Sequence, residues 1–280
     1  MLPENQSQPK PRRPHPLERQ PEPPVNPPPQ RQRAVLHIRT VRPLFTYILI
    51  AANLLVYVIG YFDPSLELSM RLGGANNREF VLVNGEYYRL LTSMFLHGGL
   101  AHITFNMLSL YIIGRTIEAL YGHVRFIAIY MLGGLTGALL SAFLNDVLSV
   151  GASGAVFALF AAELIYIYNH RKLLGDFGRY QLRQLIMVLV VNLAIGIISS
   201  LNLGTVAIDN WAHIGGFLGG VVLAWFIGPD FVIERYPERP AEFVAVDANP
   251  LRQRYHIVFI YLSVLLGALV VAALLARTSL

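Results

Sequence analysis

The stretch WAHIGGFLGGVVLAWFIG, residues 211–228, is long and apolar enough to cross a membrane, yet it contains a histidine and five glycines. A bilayer core of about 30 Å needs roughly 20 mostly apolar residues per helix. His213, Gly216 and Gly220 are spaced by three and four residues, so a helix places them on one face, where glycines let a second backbone approach closely. His213 is therefore either a cap on a glycine-packed contact or a functional group, because ionisable residues are costly to bury in a membrane.

The composition of the whole chain also indicates a membrane protein. Of its 280 residues, 54% are hydrophobic and only 14% are charged, whereas soluble domains carry about 25% charged residues. The chain has no cysteine, which excludes disulfides, thiolate metal sites and a cysteine nucleophile. Its net charge of +5 comes without a basic stripe interleaved with aromatic residues, so the expected partner is the lipid bilayer and not a nucleic acid.

Seven stretches are long and apolar enough to span the bilayer, which predicts an all-α integral membrane protein. They are Leu44–Phe62, Leu100–Leu120, Val124–Leu144, Ala152–Tyr168, Leu182–Leu201, Trp211–Ile227 and His256–Ala276. A polar loop that contains proline, residues 230–255, separates the last stretch from the other six. The pattern therefore predicts a six-helix bundle, residues 44–229, followed by one extra C-terminal transmembrane helix within residues 256–280.

Residues 1–43 differ in composition from the rest of the chain. Twelve of the seventeen prolines lie there, among glutamine, arginine and asparagine. Such a stretch buries too little apolar surface to offset its ordering entropy, which predicts a disordered, proline-rich tail. Its run PEPPVNPPP fits either a plain tether or a ligand for an aromatic-lined groove.

Lysine and arginine residues predict the orientation of the spans, because they are retained on the cytoplasmic side. If the tail is cytoplasmic, eighteen of the 22 basic residues lie inside and only four, Arg71, Arg78, Arg89 and Arg277, lie outside. This orientation makes residues 230–255 a cytoplasmic loop and leaves a short C-terminus outside. We expect the membrane to be a bacterial plasma membrane.

The same orientation brings two polar side chains to the outer face. The fourth and sixth spans both begin there, with Ser153 in the first turn of one and His213 in the first turn of the other. Gly151 and Gly154, on either side of the serine, offer small surfaces to match the glycines of the sixth span. If the two spans pack together, a hydroxyl meets an imidazole, which is the pair of nucleophile and general base used in acyl transfer.

The second span adds hydrogen-bond donors at the same depth. In HGGLAHITFNM, residues 97–107, His102 and Asn106 lie four positions apart and share a helix face. This span runs from outside to inside, so both side chains lie near the outer leaflet. An imidazole and an amide in this place fit the donors that stabilise the oxyanion of a tetrahedral intermediate.

A carboxylate that would complete a hydrolytic triad is less evident. Asp209 is the only acidic residue near His213 in the sequence, and its position favours a solvated or helix-starting aspartate over a triad member. We therefore expect a Ser-His dyad. Phe157, one turn after Ser153, fits two interpretations: an aromatic support beneath the imidazole, or an ordinary phenylalanine that faces lipid or core.

Together these motifs resemble the rhomboid family of intramembrane serine proteases. The matching pieces, in the family's order, are HGGLAHITFNM at 97–107, GRTIEALYG at 114–122, GASGAVFAL at 151–159 and AHIGGFLGG at 212–220. The resemblance covers residues 44–229, and the added helix resembles the family's six-plus-one arrangement. Arg115 and Glu118, in the second of these pieces, are interpreted as structural.

The resemblance implies chemical roles for four residues. Ser153 corresponds to the nucleophile and His213 to the general base. His102 and Asn106, together with the Ser153 amide, resemble the oxyanion site.

The resemblance also implies supporting roles for residues near the serine. Gly151 and Gly154 keep the serine turn compact, and Phe157 occupies the aromatic position that follows the serine. The chain departs from the family in the first outer loop, where Tyr88-Arg89 stands in place of a frequent Trp-Arg pair. We expect this pair to preserve a structural anchor.

The predicted activity is intramembrane proteolysis by a serine endopeptidase. Hydrocarbon contains no water, so hydrolysis at this depth needs an aqueous cavity open to the outside, with Ser153 at its floor. The carbonyls of an intact helix are hydrogen-bonded, so the substrate must unwind locally. We therefore expect single-span transmembrane substrates, cleaved near the outer face. No ligand pattern such as H-E-x-x-H occurs, and no metal or other cofactor is expected.

Two other functions compete with proteolysis. An inactive rhomboid-like protein would bind membrane clients without cleaving them, and its usual signature is loss of the serine or histidine that this chain retains. A transporter or channel would carry polar residues at several depths, whereas the inner halves of these spans are almost wholly apolar. The outer loops, residues 63–99 and 201–210, are expected to flank the cavity and to cover it. The sequence indicates no oligomeric state.

Overall fold

The structure, a computed structural model, describes residues 35–200, 208–236 and 239–278. The α-helices of this part are α1 (Leu44–Phe62), α2 (Pro64–Gly74), α3 (Arg89–Thr92), α4 (Leu100–Ser109), α5 (Arg115–Tyr121), α6 (His123–Leu144), α7 (Ser153–Asn169), α8 (Arg171–Ser200), α9 (Asn210–Ile227) and α10 (Tyr255–Thr278). Shorter segments are the π-helical turns Glu79–Val83 and Leu110–Gly114 and the 3₁₀ turns Ser93–Phe95 and Leu251–Gln253.

Among the described residues, five helices are long and apolar enough to cross a membrane: α1, α6, α8, α9 and α10. A sixth span results if the segments on either side of a 94° bend, Arg89–Phe95 and Leu100–Tyr121, are counted together. Helix α7 is apolar but has only 17 residues. The predicted all-α integral membrane class is confirmed, and the count of seven spans stays a prediction.

The core of the bundle lies among α6, α7 and α9. Its largest fully buried side chains include Phe126 and Tyr130 of α6, Leu159 of α7 and Leu223 of α9. Helices that are apolar on all sides can bury several faces at once, and this places them at the centre of a bundle.

Helix α1 is held to the bundle by a buried carboxylate. It starts after Pro43 and has no side-chain cap of its own. Glu118 of α5 is fully buried and accepts hydrogen bonds from the N–H groups of Phe45 and Thr46, at 2.8 and 2.7 Å. It thereby satisfies donors that a helix start leaves unpaired. Glu118 is thus structural, as predicted.

The loop before α4 is fastened by Arg89. Its buried guanidinium donates to the carbonyl of Leu72 and to the carboxylate of Glu86, each at 2.7 Å. It also lies 4.3 Å from the ring centre of Phe80, a cation–π contact. The hydrogen bond from Arg89 lowers the pKa of Glu86. In the Tyr88-Arg89 pair, the arginine therefore provides the expected anchor.

Three short strands form a sheet at the opposite end of the bundle from the start of α7. In spatial order they are β1 (Val35–Ile38), β3 (Arg239–Asp247) and β2 (Phe231–Tyr236). Strand β1 is parallel to β3, and β2 is antiparallel to it. Arg125 of α6 pairs with Asp247 at 2.8 Å, and the Phe231 N–H donates to His170 Nε2 at 2.8 Å. These contacts fix the sheet to α6 and to the end of α7.

The sheet corrects two predictions. The predicted disorder of residues 1–43 is wrong for β1, while residues 1–34 lie outside the described part of the chain. The predicted loop, residues 230–255, contains β2 and β3. Each strand depends on a partner far away in sequence, and so short a strand beside a proline-rich stretch leaves little local signal. Most of the predicted lid, residues 201–207, also lies outside the described residues.

The two ends of the bundle are named by what lies there. The end that carries the three strands is called the sheet end. The opposite end, where α7 and α9 begin, is called the serine end.

Candidate active site

Ser153 is the first residue of α7 and follows a turn that favours glycine. Gly151 has a φ of +132°, which other residues rarely adopt, and its N–H donates to the Ser93 carbonyl at 2.9 Å. The next residue, Ala152, is fully buried, whereas Ser153 is partly exposed. N–H groups in the first turn of a helix have no acceptor within that helix. The hydroxyl therefore lies beside backbone donors.

His102 and Asn106 of α4 lie against the same turn. A Cβ atom at Gly151 would come within 2.7 Å of His102 Nε2 and 3.8 Å of Asn106 Nδ2. A side chain at Gly151 would therefore displace the imidazole. The two predicted oxyanion donors and the serine turn meet at one place.

Hydrogen bonds indicate which donors remain available there. The Gly98 N–H approaches His102 Nδ1 over a long 3.4 Å contact. In a neutral imidazole this acceptor role leaves the proton on Nε2, the nitrogen that faces Gly151. Asn106 Nδ2 donates to the His102 carbonyl at 3.0 Å. Because an amide nitrogen carries two hydrogens, Asn106 keeps a second one for a ligand.

His213 lies in the first turn of α9, with its ring stacked on Phe157 of α7. The ring centroids are 4.3 Å apart and the planes are inclined by 14°. Phe157 follows Ser153 by one helical turn, so the imidazole lies over the part of α7 that carries the hydroxyl. Of the two interpretations of Phe157, the geometry favours the aromatic support.

Glycines bring α7 and α9 into backbone contact beside the serine. A Cβ atom at Gly216 would lie 2.0 Å from the Gly154 carbonyl oxygen, and one at Gly220 would lie 2.3 Å from that of Ala158. Real Cβ atoms do not approach other atoms so closely, so no larger residue fits at either position without movement of the helices. This is the close contact that the glycine spacing of residues 211–228 predicts.

The predicted nucleophile and base, Ser153 and His213, are not joined by a direct hydrogen bond. None joins the two side chains among the residues that the structure describes. Catalytic hydrogen bonds are often long in unliganded enzymes and shorten when substrate binds. The arrangement offers a hydroxyl, an imidazole and two further donors around one helix start.

Comparison with known proteins assigns this arrangement to a family. Residues 84–230, more than half of the chain, match the model of the Rhomboid domain. The chain belongs to the rhomboid family. The matched residues include the predicted nucleophile and base, Ser153 and His213, and the predicted oxyanion donors, His102 and Asn106.

Several known relatives share about a third of their aligned residues with this rhomboid protein. Rhomboid protease GluP of Bacillus subtilis (strain 168) is 34% identical over 202 residues, which are 71% of this chain and 38% of that protein. RHOMBOID-like protein 1 of Arabidopsis thaliana is 34% identical over 195 residues, 69% of this chain and 48% of that protein. Rhomboid protease AarA of Providencia stuartii is 32% identical over 206 residues, 64% and 70% of the two chains. The match thus spans less than half the length of the first two relatives.

In this rhomboid protein, Asp209 caps α9. Its Oδ1 accepts from the Ala212 N–H at 3.0 Å, and its Oδ2 accepts from the Ser141 hydroxyl of α6 at 2.5 Å. Its contact with His213 is between backbone groups, at 3.3 Å. The prediction of a helix-starting aspartate is confirmed. The carboxylate fixes the start of α9 against α6, and this geometry favours a dyad over a triad.

Sequence reasoning assigned no role to two residues of this region. Ser141 binds Asp209, and nothing in the sequence indicates that pairing. His97 has its ring centroid 5.2 Å from that of His102. It is only 6% exposed, and neither ring nitrogen has a hydrogen-bond partner among the described residues. Its place five residues before His102, in HGGLAH, is the signal that could have found it.

His97 also lines a cavity between α1, α2 and the turn before α4. The cavity has a volume of about 170 Å³, and its wall includes Tyr57, Glu67 and Arg71. Its lining residues include His97 and not Ser153, so it differs from the predicted cavity with the serine at its floor. Buried polar groups normally bind water where protein offers no partner.

Proposed function

We propose that this rhomboid protein is an intramembrane serine endopeptidase. The observation that carries the proposal is the stacking of His213 on Phe157, because it holds an imidazole against the residue that follows Ser153 by one helical turn. The backbone contact between α7 and α9 supports a fixed separation of the two residues. Two of the relatives above, GluP and AarA, are named rhomboid proteases, and they support the same activity.

In the proposed cycle, His213 accepts the proton of Ser153 as the hydroxyl attacks a peptide carbonyl. The tetrahedral oxyanion accepts hydrogen bonds from His102 Nε2, the Asn106 amide and the Ser153 N–H. Loss of one such donor typically costs about 3–4 kcal/mol of transition-state stabilisation. The imidazolium then protonates the leaving amine, and His213 activates a water molecule that hydrolyses the acyl-enzyme. Phe157 holds the ring where a triad would use a carboxylate.

The proposed substrates are single-span transmembrane proteins, cut near the serine end. An intact helix keeps its carbonyls hydrogen-bonded, so segments with small, helix-weakening residues are the ones that can enter the site. The excess of basic residues on the other side supports a cytoplasmic sheet end and an outer serine end in a bacterial plasma membrane.

Reconstitution with a fluorescent single-span substrate tests the dyad. Ser153→Ala and His213→Ala are each expected to lower the rate of cleavage by about a thousandfold or more. Ser263→Ala and His256→Ala on α10 are matched controls. The Ser263 hydroxyl bonds to a carbonyl of its own helix, and His256 is exposed, so both variants should cleave at the wild-type rate.

Two outcomes would contradict the proposal. Cleavage that survives both site substitutions would exclude the dyad. A folded wild-type protein that binds single-span segments without cutting any of them would indicate the alternative, an inactive client-binding protein.

The absence of cysteine permits a direct test of orientation. Asn84→Cys lies in the exposed loop at the serine end, and Glu234→Cys lies on β2 at the sheet end. A membrane-impermeant maleimide is expected to label Asn84→Cys on intact cells and Glu234→Cys only after permeabilisation. The reverse pattern would invert the proposed topology.

A further inference from the structure

Helices α6 and α10 leave a groove between them. Its volume is about 380 Å³, and its wall includes Leu139, Leu140 and Phe143 of α6 and Leu265, Ala268 and Val271 of α10. Both helices are long and apolar enough to cross a membrane. The α6–α10 groove therefore lies at the depth of the hydrocarbon core.

Contacts between side chains mark how far the groove extends along the two helices. Toward the sheet end, the hydroxyls of Thr136 and Tyr261 share a hydrogen bond of 2.6 Å. Toward the serine end, Ala276 belongs to a buried cluster with Leu82 of the loop before α3. From Tyr261 to Leu275, which both line the groove, α10 rises about 21 Å at 1.5 Å per residue. One leaflet contributes roughly 15 Å of hydrocarbon, so the groove is long enough to hold one acyl chain.

The lining of the groove is apolar and favours a hydrocarbon ligand over a polar one. Thr136 donates to the Leu132 carbonyl at 2.8 Å, so Tyr261 is the donor in the bond between the two hydroxyls. The other lining residues are alanine, valine, leucine and phenylalanine. An apolar cavity does not hold water, and a polar ligand would find both hydroxyls already occupied with each other.

A cation lies at the serine end of the groove. Arg277 follows the lining residue Leu275 by two positions, and its Nε donates to the Val83 carbonyl at 3.1 Å. No carboxylate pairs with Arg277 within the described ranges of the chain. Its guanidinium thus stands where a span leaves the hydrocarbon, which is the depth of lipid phosphates. Guanidinium groups bind phosphate through paired, charge-assisted hydrogen bonds.

We propose that the α6–α10 groove binds one phospholipid, with an acyl chain between the helices and its phosphate at Arg277. Lipid hydrocarbon surrounds both helices, and a chain in the groove restores the van der Waals contacts that empty space forfeits. Helix α6 also carries Ser141, the partner of the Asp209 cap. The lipid therefore supports the helix that fixes the start of α9.

The test uses the full chain, purified in detergent and stripped of lipid, with dipalmitoyl phosphatidylglycerol as the probe. Native mass spectrometry counts the lipid molecules that the protein retains. Val271 lines the groove and Val270 does not, although the two are 55% and 57% exposed on the same helix. Val271→Trp is expected to lose the single retained lipid, and Val270→Trp is expected to keep it.

A second arm tests the headgroup contact. Arg277→Gln is expected to weaken phosphatidylglycerol binding by about fivefold, the effect of roughly one basic residue near an anionic lipid. Dipalmitoylglycerol, which has no phosphate, should bind wild type and Arg277→Gln equally. Equal affinity of both proteins for phosphatidylglycerol would overturn the assignment of Arg277.

Other results would overturn the groove itself. Equal lipid retention by wild type and Val271→Trp would overturn it, and so would loss of the lipid from Val270→Trp. A Val271→Trp variant that converts a dimer into a monomer at unchanged lipid count would make a second copy the occupant. If the tryptophan lowers the unfolding temperature in lipid-free detergent, Ala268→Leu fills the same groove with a smaller side chain and replaces it in the test.

Discussion

The centre and the rim of this bundle are packed by different means. In the centre, α6 and α9 bury 50% and 44% of their apolar stretches, whereas α8 and α10 at the rim bury 12% and 11%. Central contacts join backbone to backbone, as where Gly216 meets the Gly154 carbonyl. Rim contacts use side chains, as where the Asn210 amide donates to the Gly196 carbonyl of α8 at 2.9 Å.

This difference has a consequence for the proposed site. Inside a membrane the surrounding lipid is as apolar as the side chains, so helices associate through close packing. Backbone contact leaves α7 and α9 no space to slide, which keeps Ser153 and His213 at a constant separation. Displacement of α8 breaks fewer contacts, so a substrate that enters beside α8 would leave the proposed dyad intact.

The largest expected effect comes from a side chain placed in the centre. Gly216→Val puts a Cβ atom into the Gly154 carbonyl and is expected to cost about 3 kcal/mol or more, with loss of cleavage. Gly267→Val on α10, where an added Cβ meets nothing within 4 Å, is the rim control and should unfold near the wild-type temperature. Thermal unfolding in detergent measures both. Equal stability of the two variants would abolish the distinction between centre and rim.

A smaller effect is expected when the support of the imidazole is removed. Phe157→Ala deletes the ring stacked on His213 and is expected to lower kcat by about tenfold, the upper value for one aromatic pair. KM should stay near the wild-type value, because the ring orients the base and does not bind substrate. Phe157→Tyr should restore the rate, and Phe259→Ala on the exposed face of α10 should not change it. An unchanged kcat for Phe157→Ala would mean that packing alone explains the stack.

Substitutions of Asp209, the cap of α9, test whether its carboxylate is structural or takes part in the chemistry. Asparagine caps helices as well as aspartate does, so Asp209→Asn is expected to keep most activity and stability. Asp209→Ala should lose about 1 kcal/mol of stability. Kinetics and thermal unfolding of the same two preparations make the comparison. A thousandfold fall in the rate of Asp209→Asn would establish a triad and contradict the dyad.

The smallest effect is expected at the contact between the centre and the rim. Asn210→Ala removes the hydrogen bond to the Gly196 carbonyl, worth about 1 kcal/mol or less. Hydrogen exchange should quicken in α8 and stay unchanged in α9. Asn192→Ala is the control, because in the described part of the chain that amide bonds only to a carbonyl one turn back in its own helix. Faster exchange in α9 would show that the centre depends on this contact.

The sequence predicts the long helices well because a membrane span requires an unbroken apolar run. The predicted spans Val124–Leu144 and Trp211–Ile227 differ from α6 and α9 by one residue at the start and none at the end. Strand β1 cannot be predicted in this way, because four residues are too few to show a periodic pattern. Its order depends on pairing with β3. Pairing between strands that lie far apart in the chain cannot be read from a single sequence.

The candidate site likewise contains residues that the sequence indicates and residues whose roles need the structure. Ser153, His213 and the pair on α4 are indicated by spacing and depth, which are local properties of each span. The role of Phe157 needs the relative rotation of two helices, so the sequence left two interpretations. The bond between Ser141 and Asp209 joins residues 68 positions apart, and no local pattern marks either as the partner of the other.

The sheet sets a practical limit on how far the chain can be shortened. Strand β1 precedes the first membrane helix, and its partner β3 lies in the connection to the last one. Truncation after residue 34 leaves this pairing whole. Removal of Val35–Ile38 as well leaves one edge of β3 without a partner. The unpaired backbone groups of that edge can then pair with strands of other chains. A shortened protein that aggregates would then report a bare strand edge and not a defect in its membrane helices.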